Sequence, residues 1–156
     1  MKINVTYGVG KNSDILSGYY NVNPNASTVF GVIPLKATQI HEFVDDEEAE
    51  EIFFNECLSY YSPKEIQEIL DLAFRLLKKG GKIKILDKEA SIVAYNYING
   101  KIDLDQYNLI LFDGEINGFK KCVLSSNEIE IFLKSKKLHS ICSYVIDSNF
   151  LVEAFK

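Results

Sequence analysis

Two glycines, Gly8 and Gly10, follow the first β-branched run of the chain, residues 2–7 (KINVTY). The alternation in that run predicts a β-strand, and the glycines predict a turn at its end. In an α/β sheet, such a turn commonly forms the floor of a ligand site, because a backbone without Cβ atoms allows a cofactor to approach closely. A tight turn without a ligand explains the G-x-G pattern equally well, so the residues alone leave both interpretations open.

Histidine and cysteine side chains, which could bind a metal or act in catalysis, are scarce. The chain contains only two histidines, His41 and His139, which we interpret as surface or packing residues. Its three cysteines are widely spaced and form no C-x-x-C pair, so neither a disulfide framework nor a zinc site is predicted. We therefore expect reduced thiols and no metal centre.

Length and composition place this chemistry in one ordinary globular domain. The chain has 156 residues, of which 47% are hydrophobic and 25% charged, and a single domain over residues 1–156 is predicted. Its formal net charge of −5 does not indicate a nucleic-acid partner. No apolar run reaches the roughly 18 residues that a membrane span requires, so we expect no membrane association and a cytoplasmic protein.

The most strongly signalled element is a helix over residues 63–79. Ser62, Pro63 and Glu65 form a capping-box pattern at its start, and Gly80-Gly81 is typical of a helix end. Further helices are predicted with Asp87 as a cap before residues 92–98, with a capping pattern at 103–106, and from 125–128 onward. Strands are predicted at residues 2–7, 19–22, 29–35, 52–54, 82–86, 141–146 and 150–155, and the proline of the third implies an edge or terminal position.

Strands that alternate with helices predict a mostly parallel sheet covered on both faces, and the last two strands predict a terminal antiparallel hairpin. In such a sheet, a ligand site lies beyond the carboxyl ends of the strands, where the strand order reverses. The turn after the first strand is its expected floor.

Several segments resemble, in the same order along the chain, segments of small class I S-adenosylmethionine-dependent methyltransferases. These are of the kind predicted to modify bacterial sugars and surface polymers. The most specific is residues 76–86 (LLKKGGKIKIL), which is similar to the family's L-K-P-G-G-x-L-x-L. The resemblance spans essentially the whole chain and implies a three-layer Rossmann-like methyltransferase fold of about seven strands. The other matching segments are residues 2–10 (KINVTYGVG), 18–25 (GYYNVNPN), 36–40 (KATQI), 55–62 (NECLSYYS), 110–115 (ILFDGE) and 119–133 (FKKCVLSSNEIEIFL).

The resemblance implies a site for S-adenosylmethionine at the carboxyl ends of the strands. It places the two glycines under the cofactor, Asn23 at the ribose, and Ala37 with Thr38 beside the adenine. Glu56 is the nearest candidate for a base, although a surface charge at a strand end is equally consistent with it. The residues assigned to the cofactor site are Tyr7, Gly8, Gly10, Asn23, Ala37, Thr38, Asn55 and Glu56.

Two further pairs have both a functional and a structural interpretation. Tyr60 and Tyr61 could line an acceptor pocket, but tyrosines beside a capped helix are more often packing residues. Lys120 and Lys121 could meet an anionic acceptor, but a solvated pair is the commoner case.

Three departures from the family pattern fall within this site. Asn23 stands where the family has an acid that accepts hydrogen bonds from both ribose hydroxyls, and an amide lacks the charge that strengthens them. Lys36 aligns with the acid near the adenine amino group, so a donor faces a donor. Tyr7 replaces a small residue and narrows the methionine end. We therefore expect weak or no cofactor binding, and expect Asn23→Asp with Lys36→Asp to raise the affinity at least about tenfold.

Two functions from different classes remain. The first is a divergent methyltransferase that acts on a small-molecule or glycan acceptor, such as a sugar or surface-polymer hydroxyl. The second is a catalytically inactive protein of the same fold that serves as an interaction or structural subunit for a protein partner. A dinucleotide-binding oxidoreductase is disfavoured, because the chain lacks a full G-x-G-x-x-G and a downstream acidic ribose ligand.

Overall fold

The computed structural model describes residues 1–8, 15–26, 29–112 and 120–156. Its strands are β1 (Lys2–Val5), β2 (Tyr20–Val22), β3 (Val32–Ile33), β4 (Ala49–Asn55), β5 (Leu77–Lys88), β6 (His139–Ile146) and β7 (Asn149–Phe155). Its α-helices are α1 (Pro63–Leu76), α2 (Ala90–Ile98), α3 (Leu104–Phe112) and α4 (Ser126–Ser135). Short 3₁₀ helices span Ala37–Glu42 and Leu58–Tyr60.

The strands form a seven-stranded sheet in the order β3-β2-β1-β4-β5-β7-β6. All pairs from β3 to β5 are parallel, whereas β7 is antiparallel to both β5 and β6. The predicted fold class, a mostly parallel Rossmann-like methyltransferase sheet with an antiparallel terminal hairpin, is confirmed. β1 lies between β2 and β4, so the turn after it stands at the point where the strand order reverses.

The hydrophobic core lies on one face of the sheet. Alternate residues of β1, β4 and β5 are buried there, such as Val5, Phe54 and Ile85. They belong to one apolar cluster with the buried stripes of α1 and α4, which include Leu70 and Leu133. Successive side chains of a strand point to opposite faces of the sheet, so the apolar alternation in the sequence determines which residues face the core.

The opposite face of β4, β5 and β7 carries ion pairs around the buried ring of Phe53, whose centre lies 4.8 Å from Lys84 Nζ. Lys82 Nζ lies 3.6 Å from Glu51 and 3.4 Å from Glu153, and Lys84 Nζ lies 3.8 Å from each of the same two carboxylates. The Tyr19 hydroxyl donates to Glu51 at 2.5 Å. A strand with apolar helices on both faces has a continuous run of apolar residues. β5 instead alternates lysine with apolar residues in KIKIL, which is consistent with one charged face.

Helix α1 begins as predicted but ends earlier. Ser62 Oγ accepts from the Glu65 N–H at 3.3 Å, and Glu65 Oε2 accepts from the Ser62 N–H at 2.7 Å, which is a complete capping box. The predicted end at residue 79 is wrong, because α1 ends at Leu76 and Arg75 is the basic residue of its last turn.

The two glycines that were predicted to end α1 lie inside β5 instead. The Gly80 N–H donates to the Lys156 carbonyl at 2.8 Å, and the Gly81 carbonyl accepts from the Lys156 N–H at 2.9 Å. Gly80 has φ +76°, and a Cβ on Gly81 would stand 2.9 Å from the Lys78 carbonyl oxygen. Glycine is needed because the strand is irregular here, with its register to β4 shifted between Ala49 and Glu51.

Asp87 is not a helix cap, contrary to prediction. It lies in β5, and α2 starts after Glu89, whose Oε2 accepts from the Ser126 N–H at the start of α4 at 2.9 Å. The capping pattern before α3 is confirmed by reciprocal bonds between Asp103 and Gln106 of 3.0 and 2.7 Å.

Several strand boundaries also differ from the prediction. β4 takes in Ala49–Glu51, which was predicted as part of an acidic loop, because Glu51 has lysine partners across the sheet. β3 has only two residues and lies at the edge that Pro34 predicts. Within the described part of the chain, we find no helix with the length and apolar character needed to cross a membrane.

Candidate functional site

The carboxyl ends of β1, β2 and β4 meet around the turn that follows β1. Most residues that the sequence assigned to a cofactor site lie there in the described structure. Tyr7 and Gly8 follow β1, Asn23 follows β2, and Asn55 ends β4. Gly10, the second glycine of the predicted turn, lies outside the described residues.

Asn23 is turned into the protein. Its side chain is buried, with 2% of the residue exposed, and its amide nitrogen donates both hydrogens: to Thr6 Oγ1 at 3.0 Å and to the Gly8 carbonyl at 2.7 Å. Its Oδ1 accepts from the Asn25 N–H at 2.9 Å. The residue at the predicted ribose position therefore fastens β2 to the turn after β1.

The backbone at the predicted adenine position is also bonded within the chain. The Ala37 N–H donates to the Tyr61 hydroxyl at 3.1 Å, and both residues are buried. Burial raises the pKa of the Tyr61 phenol above its ordinary value of 10, so the hydroxyl stays neutral at physiological pH. An N–H that is free to bind a ligand is not present at this residue.

Three aromatic rings, Tyr7, Tyr60 and Tyr61, form what we call the tyrosine cluster. The rings of Tyr7 and Tyr60 stack with their centroids 4.2 Å apart and an interplanar angle of 11°. The ring of Tyr61 meets that of Tyr7 edge to face at 5.7 Å, and Lys120 Nζ lies 5.9 Å from the centre of the Tyr60 ring. The cluster joins the turn after β1 to the segment after β4, across the predicted methionine end of the site.

The remaining predicted residues lie farther toward solvent. Lys36 has an exposed side chain. Thr38 is half-buried on the 3₁₀ helix, and Asn55 is half-buried at the end of β4. Glu56 is exposed and forms an ion pair with Lys88 at 3.7 Å, which places the candidate base beside a cation.

A second polar group, next to the tyrosine cluster, was not predicted. Asp87 is buried at the carboxyl end of β5, where its carboxylate accepts from the Lys88 N–H at 2.8 Å and the Ser59 N–H at 3.2 Å. Burial raises the pKa of this carboxyl above its ordinary value, although these two N–H donors oppose the shift. The signal in the sequence was its spacing, since Ile83, Ile85 and Asp87 share one face of the strand.

A small cavity of about 10 Å³ borders this carboxylate, with Ser59, Lys120 and Cys122 in its wall. That volume is close to the room one water molecule needs. The Ser59 hydroxyl is buried and has no hydrogen-bond partner among the described residues. Burial raises the pKa of the Cys122 thiol to about 11, so it does not ionise at neutral pH.

Metal ligands are not gathered anywhere in the described ranges. Among those residues, no group of three or more histidine, cysteine, aspartate or glutamate side chains could hold a metal ion.

No family model matches this chain, and no curated protein matches it by sequence. Its fold is nevertheless similar to that of solved methyltransferases. A SAM-dependent methyltransferase from Archaeoglobus fulgidus matches with a TM-score of 0.61 at 12% identity, over 86% of this chain and 75% of that one. The PH0226 protein from Pyrococcus horikoshii OT3 matches with a TM-score of 0.61 at 16% identity, over 98% of this chain and 80% of that one.

An O-methyltransferase family protein from Burkholderia thailandensis matches with a TM-score of 0.56 at 17% identity, over 80% of this chain. The chain spans only 35% of that protein's length. At such identities the likeness shows the fold alone: this chain has the fold of SAM-dependent methyltransferases.

Proposed function

We propose that this chain is a catalytically inactive protein of the methyltransferase fold that serves as an interaction or structural subunit. The observation that carries the proposal is the side chain of Asn23, whose two amide hydrogens are both donated within the chain. The residues present do not fit S-adenosylmethionine, so we derive no methyl-transfer step.

The ribose contact is the first point of misfit. A carboxylate at this position would accept from two hydroxyls, whereas the amide of Asn23 faces Thr6 and the Gly8 carbonyl with its donors. If Asn23 turned toward a ribose, the buried Thr6 hydroxyl and the half-buried Gly8 carbonyl would lose this donor, at a cost of up to about 1–3 kcal/mol for each. The cofactor would have to supply that free energy before it gained any contact.

The adenine and methionine positions add to this cost. An adenine that accepted a hydrogen bond from the Ala37 N–H would have to displace the buried Tyr61 hydroxyl. A methionine group over the turn after β1 would have to separate the stacked rings of Tyr7 and Tyr60. Three separate parts of the cofactor would therefore each replace a contact that the folded chain makes with itself.

A divergent methyltransferase is the second candidate. The sheet order and the placement of Gly8 after β1 favour it, because both are retained where cofactor binding would need them. Its acceptor would be a sugar or surface-polymer hydroxyl, as the sequence resemblance implies. Glu56 is poorly placed as its base, because the carboxylate is exposed and paired with Lys88.

An NMR titration of the intact chain with S-adenosylhomocysteine separates the two candidates. We expect the backbone amides of Gly8 and Ala37 to keep their chemical shifts, and the Ala37 amide to exchange slowly with solvent because Tyr61 accepts its hydrogen. Tyr61→Phe is the matched variant, and it should speed the exchange of Ala37. Saturable shifts at both Gly8 and Ala37 in the native protein would support the methyltransferase instead.

A further inference from the structure

The helical hairpin formed by α2 and α3 is apolar on the side that faces away from the protein. Val93 is the buried residue of α2, and Leu111 is that of α3. α2 has no charged residue in its nine positions (ASIVAYNYI), and α3 has one, Asp105. A surface helix normally carries polar and charged residues opposite its buried side, and a helix that is apolar all round is normally covered.

Five large apolar side chains of this hairpin are open to solvent. Each exposes on the order of 100 Å², because about half or more of it is uncovered and a large side chain offers about 150–250 Å². A patch of this size on a protein surface is often functional. The five residues, which we call the hairpin patch, are Tyr95 (55% exposed), Ile98 (79%), Leu104 (54%), Leu109 (61%) and Phe112 (51%).

We propose that the hairpin patch binds the hairpin patch of a second copy of this chain, so that two α2–α3 hairpins form a four-helix bundle. A two-fold axis brings the same surface of both subunits together, and an uncharged apolar surface is complementary to itself. Four helices packed around shared apolar side chains are a common arrangement that covers the open sides of two helical hairpins.

The area of the hairpin patch matches what a stable dimer needs. Two patches in contact remove on the order of 1,000 Å² of apolar surface from water, and exposed polar residues between them, such as Ser91 and Asn108, add to this area. A specific interface between proteins buries at least about 1,000 Å². One hairpin patch against a polar surface would remove only half as much apolar area.

The distribution of charge also favours a second copy over an unlike protein. Lys101 and Asp103 lie in the connection between the helices, and Asp105 lies in the first turn of α3, so the charges gather at one end of the hairpin. When two hairpins pack antiparallel, these ends lie at opposite ends of the dimer, and like charges do not meet. The remainder of α3, residues 106–112, offers no charge that would select an oppositely charged partner, and apolar contact is typical of homodimers.

This interface supplies a partner for the non-catalytic role proposed above, and rests on that proposal only for its purpose. Sedimentation equilibrium of the full chain from about 1 μM to about 1 mM tests it. We expect the native protein to approach twice its monomer mass of 17.7 kDa as the concentration rises. Leu109→Lys should stay at the monomer mass, because dimerisation would bury an unpaired charge from each chain.

Ile131→Lys on α4 is the matched control, since it adds the same charge at an equally exposed aliphatic residue, with 60% against 61% for Leu109, and should leave the dimer intact. Amide hydrogen exchange gives a second readout on the native sequence. Dilution from dimer to monomer should speed exchange in α2 and α3, because the second copy opposes their local opening, and should leave α1 unchanged.

The interface would be overturned by a native chain that stays monomeric, by a Leu109→Lys variant that still dimerises, or by a dimer that Ile131→Lys dissociates. A native monomer that floats with phosphatidylcholine vesicles, when Leu109→Lys does not, would overturn it in favour of a lipid surface. Cofactor binding separates the two proposals. A dimer that binds S-adenosylmethionine contradicts the proposed function alone, whereas a monomer that does not bind it contradicts the interface alone.

Discussion

The strand ends around β1 and the edge strand β6 differ in whether their polar groups are bonded within the chain. At the carboxyl ends of β1, β2 and β4, polar groups that could meet a ligand are bonded inside the chain, as for Asn23 and the Ala37 N–H. At the β6 edge, the backbone of an apolar strand lies open. The comparison teaches that the order of strands alone does not determine what a sheet binds, because the side chains at the strand ends also decide it.

The largest expected effect comes from Asn23→Asp, which the sequence suggests together with Lys36→Asp as a way to restore a ribose contact. The structure changes that expectation, because an aspartate has no hydrogen for the Gly8 carbonyl 2.7 Å away or for Thr6. We expect a loss of about 2–4 kcal/mol in the free energy of unfolding and no gain in cofactor affinity. Urea denaturation and a binding titration measure the two quantities.

Asn25→Asp is the control for this variant, because it makes the same chemical change at an exposed residue, where it removes one bond, to the Tyr7 carbonyl at 2.6 Å, and should lose less stability. If Asn23→Asp were as stable as the native chain and bound the cofactor tenfold more tightly, the proposal that the bonds of Asn23 within the chain oppose cofactor binding would be wrong.

A smaller effect is expected from Ser62→Ala. Ser62 and Glu65 form the capping box that starts α1, and Ser62 follows directly after Tyr61 of the tyrosine cluster. Loss of the cap should cost about 0.5–2 kcal/mol of stability. Thermal and urea unfolding measure this loss, and unchanged stability would show that the cap contributes little to the stability of the fold.

Ser59→Ala gives a still smaller change of the opposite sign. In the part of the chain that the structure describes, the buried Ser59 hydroxyl has no partner, whereas the Ser59 N–H donates to Asp87 and is kept by alanine. We expect stability to rise by about 1 kcal/mol, since an unsatisfied buried polar group is removed. A loss of stability in the same urea assay would mean that a bound molecule uses the hydroxyl.

The smallest effect concerns acid. Bonds from the Ser62 N–H and side chain lower the pKa of Glu65 from 4.5 to about 2, with Lys121 contributing. A carboxyl whose pKa is lower in the folded state stabilises the fold above its unfolded pKa, and loses that contribution as the pH falls toward the folded value. Glu65→Gln should therefore flatten the fall in stability between about pH 4.5 and pH 2. A variant whose acid unfolding curve matches that of the native chain would contradict this assignment.

The sequence predicted elements whose signals are local. The capping box at Ser62 and Glu65 and the alternation in β5 were sufficient to predict α1 and a central strand. The end of α1 was mispredicted, because the partner of Gly80 is Lys156, which lies at the far end of the chain. Patterns within a short window carry no information about such a partner.

The site was predicted less completely for the same physical reason. The sequence indicated that Asn23 and Tyr7 depart from a cofactor-binding pattern, and both lie at the strand ends where the site was expected. It did not show that the Asn23 amide bonds to Thr6 and Gly8, or that Tyr7 stacks on Tyr60, because those contacts exist only once β1, β2 and β4 are side by side.

Calorimetric titration of the native chain with S-adenosylmethionine tests the central claim most directly. If contacts within the chain occupy the positions of the cofactor, we expect no saturable heat, which corresponds to a dissociation constant weaker than about 1 mM. A low-micromolar dissociation constant, near −8 kcal/mol of binding free energy by the approximate conversion, would contradict it. That result would mean that the contacts of Asn23, Ala37 and the tyrosine cluster give way to the cofactor, and it would return the chain to the active methyltransferases.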